Sequence, residues 1–364
     1  MEKYSDKKKI LIAPLNWGLG HATRCIPIIN ALIKEDFIPI LAGDGDSLKL
    51  LQKEFPKLIV YQLPSYDIQY TKKGSNLKYK LLFDTPRILK VIKTEQKVVN
   101  EITKKENIKG IISDNRFGVR SDSIPSVYIT HQVNVLSGNT TFLTSKFHQN
   151  IISKFDECWV PDYKDSPNLA GKLSHTNNSN LNLKYIGPVS RFDAEIPSFE
   201  GMTNKKYDIM VLLSGPEPQR SLLEKKLLDE LKSTSKKVLF VRGVISDKEI
   251  SIENQNIEIV NFMMQKDLQK AILESEIIIA RSGYSTIMDF EKLQAKAFFI
   301  PTPGQYEQEY LVNYLEEQNI APYASQKDFK LSMLENCNTY SGFKTKNMSI
   351  ENRVQFPFDI FKNQ

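Results

Sequence analysis

Short, continuous apolar runs recur along this 364-residue chain, each followed by a longer stretch with helical periodicity. Lys9–Ala13 (KILIA), Phe37–Ala42 (FIPILA), Leu58–Gln62 (LIVYQ), Lys109–Ser113 (KGIIS), Ser126–Thr130 (SVYIT) and Glu157–Val160 (ECWV) form the first series. Strands that lack polar alternation are covered on both faces, which is the condition of a parallel sheet with helices above and below. After about residue 200 the pattern restarts with Asp208–Leu213, Lys237–Val241, Ile257–Asn261, Glu276–Ala280 and Ala297–Pro301. The length exceeds one ordinary domain and suits two.

The expected fold class is therefore α/β, with two tandem Rossmann-like, doubly wound parallel-sheet domains and an interdomain cleft. We expect an N-terminal domain over 1–190, a linker over 191–206 that overlaps the Pro- and Gly-containing stretch GPVSRFDAEIPSFEGMTN, and a second domain over 207–340. The segment 341–364 is expected to pack back on the first domain. In such folds ligands bind at the carboxyl ends of the strands.

Composition narrows the function. Hydrophobic residues make up 41% and charged residues 25%, the balance of a soluble globular chain, and no run is long enough to span a membrane. The apolar run Ile10–Leu15 after the basic start is too short for a secretory signal. Cys25, Cys158 and Cys337 are odd in number and widely spaced, which fits a reducing cytoplasm, and with four histidines no metal site is expected. A net charge of +6 suits an anionic ligand. No basic cluster with interleaved aromatics marks a nucleic-acid groove, so no nucleic-acid partner is expected.

Three loops carry the chemistry. Asn16-Trp17-Gly18-Leu19-Gly20-His21-Ala22-Thr23-Arg24 joins the first strand to a helix. Gly18 and Gly20 permit positive φ and a close backbone approach, and His21 stands where the helix dipole favours neutral imidazole. A neutral imidazole accepts a proton from a hydroxyl. The dinucleotide fingerprint fails because Thr23 replaces its third glycine. Arg281-Ser282-Gly283-Tyr284-Ser285-Thr286 follows the strand EIIIA and opens a helix carrying Asp289, a natural anion site. Finally, Pro301-Thr302-Pro303-Gly304 presents Gln305, Glu307, Gln308 and Glu309, side chains suited to sugar hydroxyls. Asp114 and His131 also end strands and stand beside His21 as candidate general bases. Asp44-Gly45-Asp46 is read as a strand-to-helix loop feature.

These loops, in this order, resemble a GT-B glycosyltransferase, and most of all the family of the lipid II N-acetylglucosaminyl transferase. That family carries R-S-G-x-x-T-x-x-E, a strand ending in proline and a glutamine loop; here these read Arg281 to Asp289, Ile300-Pro301 and Gln308. Gly18-Leu19-Gly20-His21 is similar to its first glycine loop, and to the G-x-G-H-x-x-R loop of a related branch. The resemblance implies that Phe262 and Met263 hold uracil and that Asp289 binds ribose. It places the diphosphate on Gly283, Ser285 and Thr286, with Ser214 and Gly215 lining its pocket and Arg191 neutralising charge, and the donor sugar on Gln308 and Glu307; Gly20, Arg281 and Ser282 count among the donor-binding residues. Asp289 departs from the family's Glu, Leu311 from its Asn, and Leu213-Ser214-Gly215-Pro216-Glu217 from its glycine-rich loop.

The implied function is inverting, metal-independent transfer of a hexose or N-acetylhexosamine from a UDP-sugar to an acceptor hydroxyl, in cell-envelope, glycolipid or polysaccharide synthesis. The nucleotide sugar is a substrate, and no cofactor is expected. The alternatives are a UDP-sugar 2-epimerase of the same fold and a non-catalytic nucleotide-binding protein. Lys72, Lys73, Lys78, Lys80, Arg87, Lys90, Lys93 and Lys97 interleave with apolar residues. This stretch either covers a core or meets an anionic membrane holding a lipid-linked acceptor, at the inner face.

Overall fold

The computed structural model describes residues 7–66, 77–192, 205–244, 254–343, 354 and 356–362, with backbone alone for 77–86. The chain forms two compact units. Among the described residues, the first comprises 7–66, 77–191, 354 and 356–362, and the second comprises 192, 205–244 and 254–343. Residues 193–204 of the expected linker lie outside the described residues.

The first unit holds seven strands: β1 (Lys9–Pro14), β2 (Ile38–Gly43), β3 (Val60–Gln62), β4 (Ile108–Asp114), β5 (Ser126–Ile129), β6 (Glu157–Val160) and β7 (Leu183–Tyr185). They lie in the order β3-β2-β1-β4-β5-β6-β7. Every neighbouring pair is parallel. Its helices are α1 (Gly20–Lys34), α2 (Gly45–Glu54), α3 (Leu77–Glu106) and α4 (Thr141–Ile152). Alternate strand residues serve opposite faces. Val127, Ile129 and Trp159 pack with Ala22, Cys25 and Ile29 of α1. Tyr128, Cys158 and Val160 pack with Ile151 and Ile152 of α4. Leu11, Ala13 and Ile111 pack with Val99 and Ile102 of α3.

The C-terminal segment completes this unit. Phe358 and Phe361 are buried in the same cluster as Ile10, Ile112 and Trp159. A Cβ on Gly110 of β4 would fall 2.3 Å from the Phe361 ring, so strand and segment meet at contact distance. Burying each ring contributes about 1.5–3 kcal/mol.

The second unit has β8 (Tyr207–Leu212), β9 (Val238–Val241), β10 (Ile257–Val260), β11 (Ser275–Ala280) and β12 (Ala297–Phe299), in the order β10-β9-β8-β11-β12. All are parallel. Its helices are α5 (Gln219–Leu231), α6 (Gln265–Leu273), α7 (Tyr284–Leu293) and α8 (Tyr306–Glu317). Each sheet winds outward in both directions from its first strand. The switch points lie between β1 and β4 and between β8 and β11, where such folds take their ligands.

Candidate active site

Five residues carry the chain from β1 to α1. Gly18 adopts φ +73°, a left-handed conformation that other L-residues take only at a cost. Gly20 is already the first helical residue, so the freedom expected of both glycines is used at one. His21 thus stands in the first turn of α1. Asp114, the last residue of β4, pairs with Pro14 of β1 and brings its carboxylate to the same crevice. His21 Nδ1 lies 2.7 Å from Asp114 Oδ1.

Arg24, one turn further along α1, completes the cluster. It donates Nε–H to Asp114 Oδ2 at 2.5 Å and Nη2–H to Oδ1. Burial would raise the Asp114 carboxyl, but the Arg24 guanidinium and His21 outweigh it and hold the group at about 2. An ionised carboxylate needs a proton facing it, so Nδ1 of His21 carries its hydrogen and donates to Oδ1. His21 Nε2 then bears the lone pair, and it has no hydrogen-bond partner among the described residues. Burial lowers the His21 pKa below its ordinary 6.5; Asp114 opposes this while Arg24 and His131 add to it. The side chain keeps 14% exposure. His131 is buried, and its Nδ1 lies 3.3 Å from Arg24 Nη1. Of the three candidate bases, Asp114 has both oxygens engaged and His21 keeps an accepting nitrogen.

A second buried arginine holds the turn from behind. Arg116 donates to Asp44 Oδ1 at 2.5 Å, to Glu95 Oε1 at 2.6 Å and to the Pro64 carbonyl at 2.6 Å. Asn16 Nδ2 reaches Asp44 Oδ2 at 3.3 Å, and the Ser47 hydroxyl reaches the Gly18 carbonyl at 3.2 Å. Asp44 of the Asp44-Gly45-Asp46 loop is therefore committed to the scaffold, and Asp46 pairs with Lys49 on the surface.

In the second unit, the turn from β11 to α7 has Gly283 at the helix N-cap with no side-chain cap. Thr286 Oγ1 at 3.9 Å is the one atom near a Cβ built on Gly283, and its φ of −66° does not require glycine. The glycine therefore leaves open space over a helix N-terminus, where backbone amides and the dipole favour an anion. Ser285 and Thr286 are half-buried there, and Asp289 is buried at 6% exposure.

Two residues expected at the donor are turned inward. Ser282 is fully buried and donates its hydroxyl to the Gln308 carbonyl at 3.0 Å. Arg281, 1% exposed, donates to the carbonyls of Ile300, Pro301 and Gln219 and to Gln326 Oε1. Their side chains tie the turn to neighbouring loops and do not reach out as phosphate ligands. All four Arg281 acceptors are neutral, and burial lowers its pKa to about 10, so it stays charged at neutral pH. Buried cations ordinarily carry an anionic partner.

The candidates of the second unit that remain follow the carboxyl ends of its strands. Ser214 and Gly215 follow β8, are exposed, and Gly215 takes φ +100° with nothing within 4 Å of a built Cβ. Phe262 and Met263 follow β10 and are half-buried. Gln308, in the first turn of α8, accepts the Thr302 amide through Oε1 at 2.8 Å, which orients its amide. Glu307 beside it is half-buried, and Arg191 closes the first unit. Sequence reading missed the work of Arg24 and Arg116. Arg24 stood in the quoted loop, but its partners lie 90 and 107 residues away, and only the sheet order brings them together.

Comparison with known proteins places the fold. Residues 219–352 match the glycosyltransferase family 28 C-terminal domain. The chain is 24% identical over 340 residues to an uncharacterized glycosyltransferase of Methanosarcina mazei, covering 85% of this chain and 84% of that one. It is 23% identical over 380 residues to the UDP-N-acetylglucosamine--N-acetylmuramyl-(pentapeptide) pyrophosphoryl-undecaprenol N-acetylglucosamine transferase of Haemophilus influenzae, covering 98% of both. The fold is similar to that of the glycosyltransferase SnogD from Streptomyces nogalater, with TM-score 0.61 at 12% identity over 93% of this chain and 92% of that one. Other solved chains of this fold are described in complex with UDP or with thymidine diphosphate. The chain is a glycosyltransferase of the GT-B fold, with a family 28 C-terminal domain and a resemblance to the lipid II N-acetylglucosaminyl transferase family.

Proposed function

We propose that this enzyme transfers a hexose or N-acetylhexosamine from a UDP-sugar to an acceptor hydroxyl, with inversion and without a metal ion. The observation that carries the reading is the 2.7 Å contact between His21 Nδ1 and the ionised Asp114 carboxylate, from which we assign the proton to Nδ1 and the lone pair to Nε2. In this mechanism His21 is the general base. The acceptor hydroxyl gives its proton to Nε2 as its oxygen attacks the anomeric carbon. The bond to the diphosphate breaks and the electron pair leaves with UDP. Asp114 stabilises the resulting imidazolium, as an orienting carboxylate does elsewhere. One displacement inverts the anomeric centre.

The donor belongs to the second unit. The α7 N-terminus at Gly283, Ser285 and Thr286 receives the diphosphate, aided by Ser214 and Gly215. The buried Arg281 charge supplies, through space, positive potential that would otherwise fall to a cation. Phe262 and Met263 hold uracil, and Asp289 meets the ribose. Because the Oε1 of Gln308 is engaged by Thr302, Gln308 offers amide N–H donors to the sugar, and Glu307 offers acceptors.

A lipid-linked acceptor in cell-envelope synthesis, at the inner face of the membrane, is the partner we favour. The support is an apolar stripe on α4, where Phe142, Leu143 and Phe147 are 76%, 68% and 48% exposed, beside exposed Lys146. No helix of the described residues is long and apolar enough to cross a membrane. Arg87, Lys90, Lys93 and Lys97 of the expected basic stretch are exposed on α3. Lys72 and Lys73 lie outside the described residues, as do the side chains of Lys78 and Lys80.

Calorimetry with UDP, dTDP and GDP, followed by anomeric analysis of the product, tests the reading. UDP should bind most tightly and the product should have the opposite anomeric configuration to the donor. A free 2-epimer formed without acceptor would replace transfer with epimerisation.

A further inference from the structure

Arg24 is 2% exposed, and its guanidinium touches three titratable groups at once. Two of its nitrogens donate to the two Asp114 oxygens. Nη1 lies 3.3 Å from His131 Nδ1, and Nη2 lies 2.9 Å from His21 Nδ1. These two histidine contacts differ in kind. Arg24 can only donate, so the 3.3 Å contact is a hydrogen bond only if His131 Nδ1 carries a lone pair, which places the proton of neutral His131 on Nε2. At His21 the nearby carboxylate requires the reverse, a proton on Nδ1. Arg24 Nη2 and His21 Nδ1 then sit side by side as two donors converging on Asp114 Oδ1.

We propose that Arg24 is a positioning residue that sorts the two histidines into opposite tautomers, so that His21 presents an acceptor at Nε2 and His131 a donor at Nε2. The assignment rests on the transferase reading of this site. It gives His131 a task other than proton removal, namely donating a hydrogen bond. Arg24 also occupies both carboxylate oxygens of Asp114. Without that guanidinium, Asp114 would hold imidazolium at His21 more firmly and the base would be lost to protonation. The groups facing His21 are Asp114 from β4, His131 from the loop after β5, and Arg24 on its own helix; the Cys25 thiol lies 3.8 Å from Asp114.

The test is nitrogen-15 NMR of the imidazoles at neutral pH, with the pH profile of kcat/KM, on wild type, Arg24→Gln and Arg24→Lys. In wild type, His21 should be protonated at Nδ1 and His131 at Nε2. Arg24→Gln should lose the fixed His131 tautomer and move the acid limb of kcat/KM upward by about one pH unit. Arg24→Lys keeps a charge at Asp114, so the limb should stay near wild type while His131 loses its single tautomer. Identical tautomers at both histidines in wild type would overturn the proposal, even if Arg24→Gln failed to fold. A folded Arg24→Gln with wild-type tautomers and an unmoved limb would also overturn it. The NMR result needs no substrate, so opposite tautomers without turnover on UDP-sugars would sink the transferase reading and leave the positioning role standing.

Discussion

The two switch-point turns handle charge in opposite ways. At the turn from β1 to α1, the Asp114 carboxylate meets Arg24 and His21 within hydrogen-bond distance, and one imidazole nitrogen remains to accept a proton. At the turn from β11 to α7, the buried guanidinium of Arg281 meets four neutral oxygens and, among the described residues, no carboxylate. A balanced cluster tunes a proton acceptor, whereas an unbalanced cation beside a helix N-terminus prepares for an anion. In the proposed function, the same architecture, repeated, is divided between acid–base chemistry and donor binding.

The sharpest way to break this division is His21→Ala. It should lower kcat by roughly 10²–10⁴-fold while UDP affinity in calorimetry stays at the wild-type value. A comparable loss of UDP binding would erase the division. Acid should also separate the units, because all four histidines fall in the first. Burial lowers His148, which donates Nδ1–H to the Gln132 carbonyl, to about 4. Its unfolded form takes up a proton near 6.5, so the stabilisation is complete above that pH and is lost as pH falls towards 4. It amounts to about 3 kcal/mol for this group. Hydrogen exchange corrected for intrinsic rates should show β1 and β4 opening more at pH 5 than at pH 7, with β8 and β11 unchanged. Equal loss in both sheets would contradict it.

Smaller effects sharpen the donor side. Asp289→Ala should weaken UDP binding by about 1–3 kcal/mol, the cost of a charged hydrogen bond, and equal affinity would remove Asp289 from the ribose contact. Arg281→Met should reduce the preference for UDP over uridine about tenfold, since only the diphosphate feels the missing charge. If both ligands weaken alike, Arg281 acts through loop packing alone.

Much of this was legible in the sequence, for identifiable reasons. Ile277-Ile278-Ile279 and Leu11-Ile12 sit in strands buried on both sides, so their apolar runs marked a parallel sheet. Strand β7 escaped because Leu183, Lys184 and Tyr185 form a half-buried edge of three residues, too short and too polar to stand out. Gly283 and Gln308 were visible as loop chemistry. The inward turn of Arg281 and Ser282 was not, since which way a strand-end side chain points depends on the carbonyls of Ile300, Pro301 and Gln308 around it. That Arg24 engages both oxygens of Asp114 was not legible in the sequence, because the β1–β4 pairing sets that contact.

Neutral His21 as proton acceptor is the central claim, and the pH dependence of kcat/KM for the wild-type enzyme tests it most directly. Burial lowers the His21 pKa, so the active neutral form persists below pH 6.5 and is lost as pH falls further. The predicted profile is flat through neutrality with an acid limb whose midpoint lies below 6.5, abolished together with most activity in Asp114→Asn. A midpoint above 7, or a limb that survives unchanged in His21→Ala, would contradict the central claim.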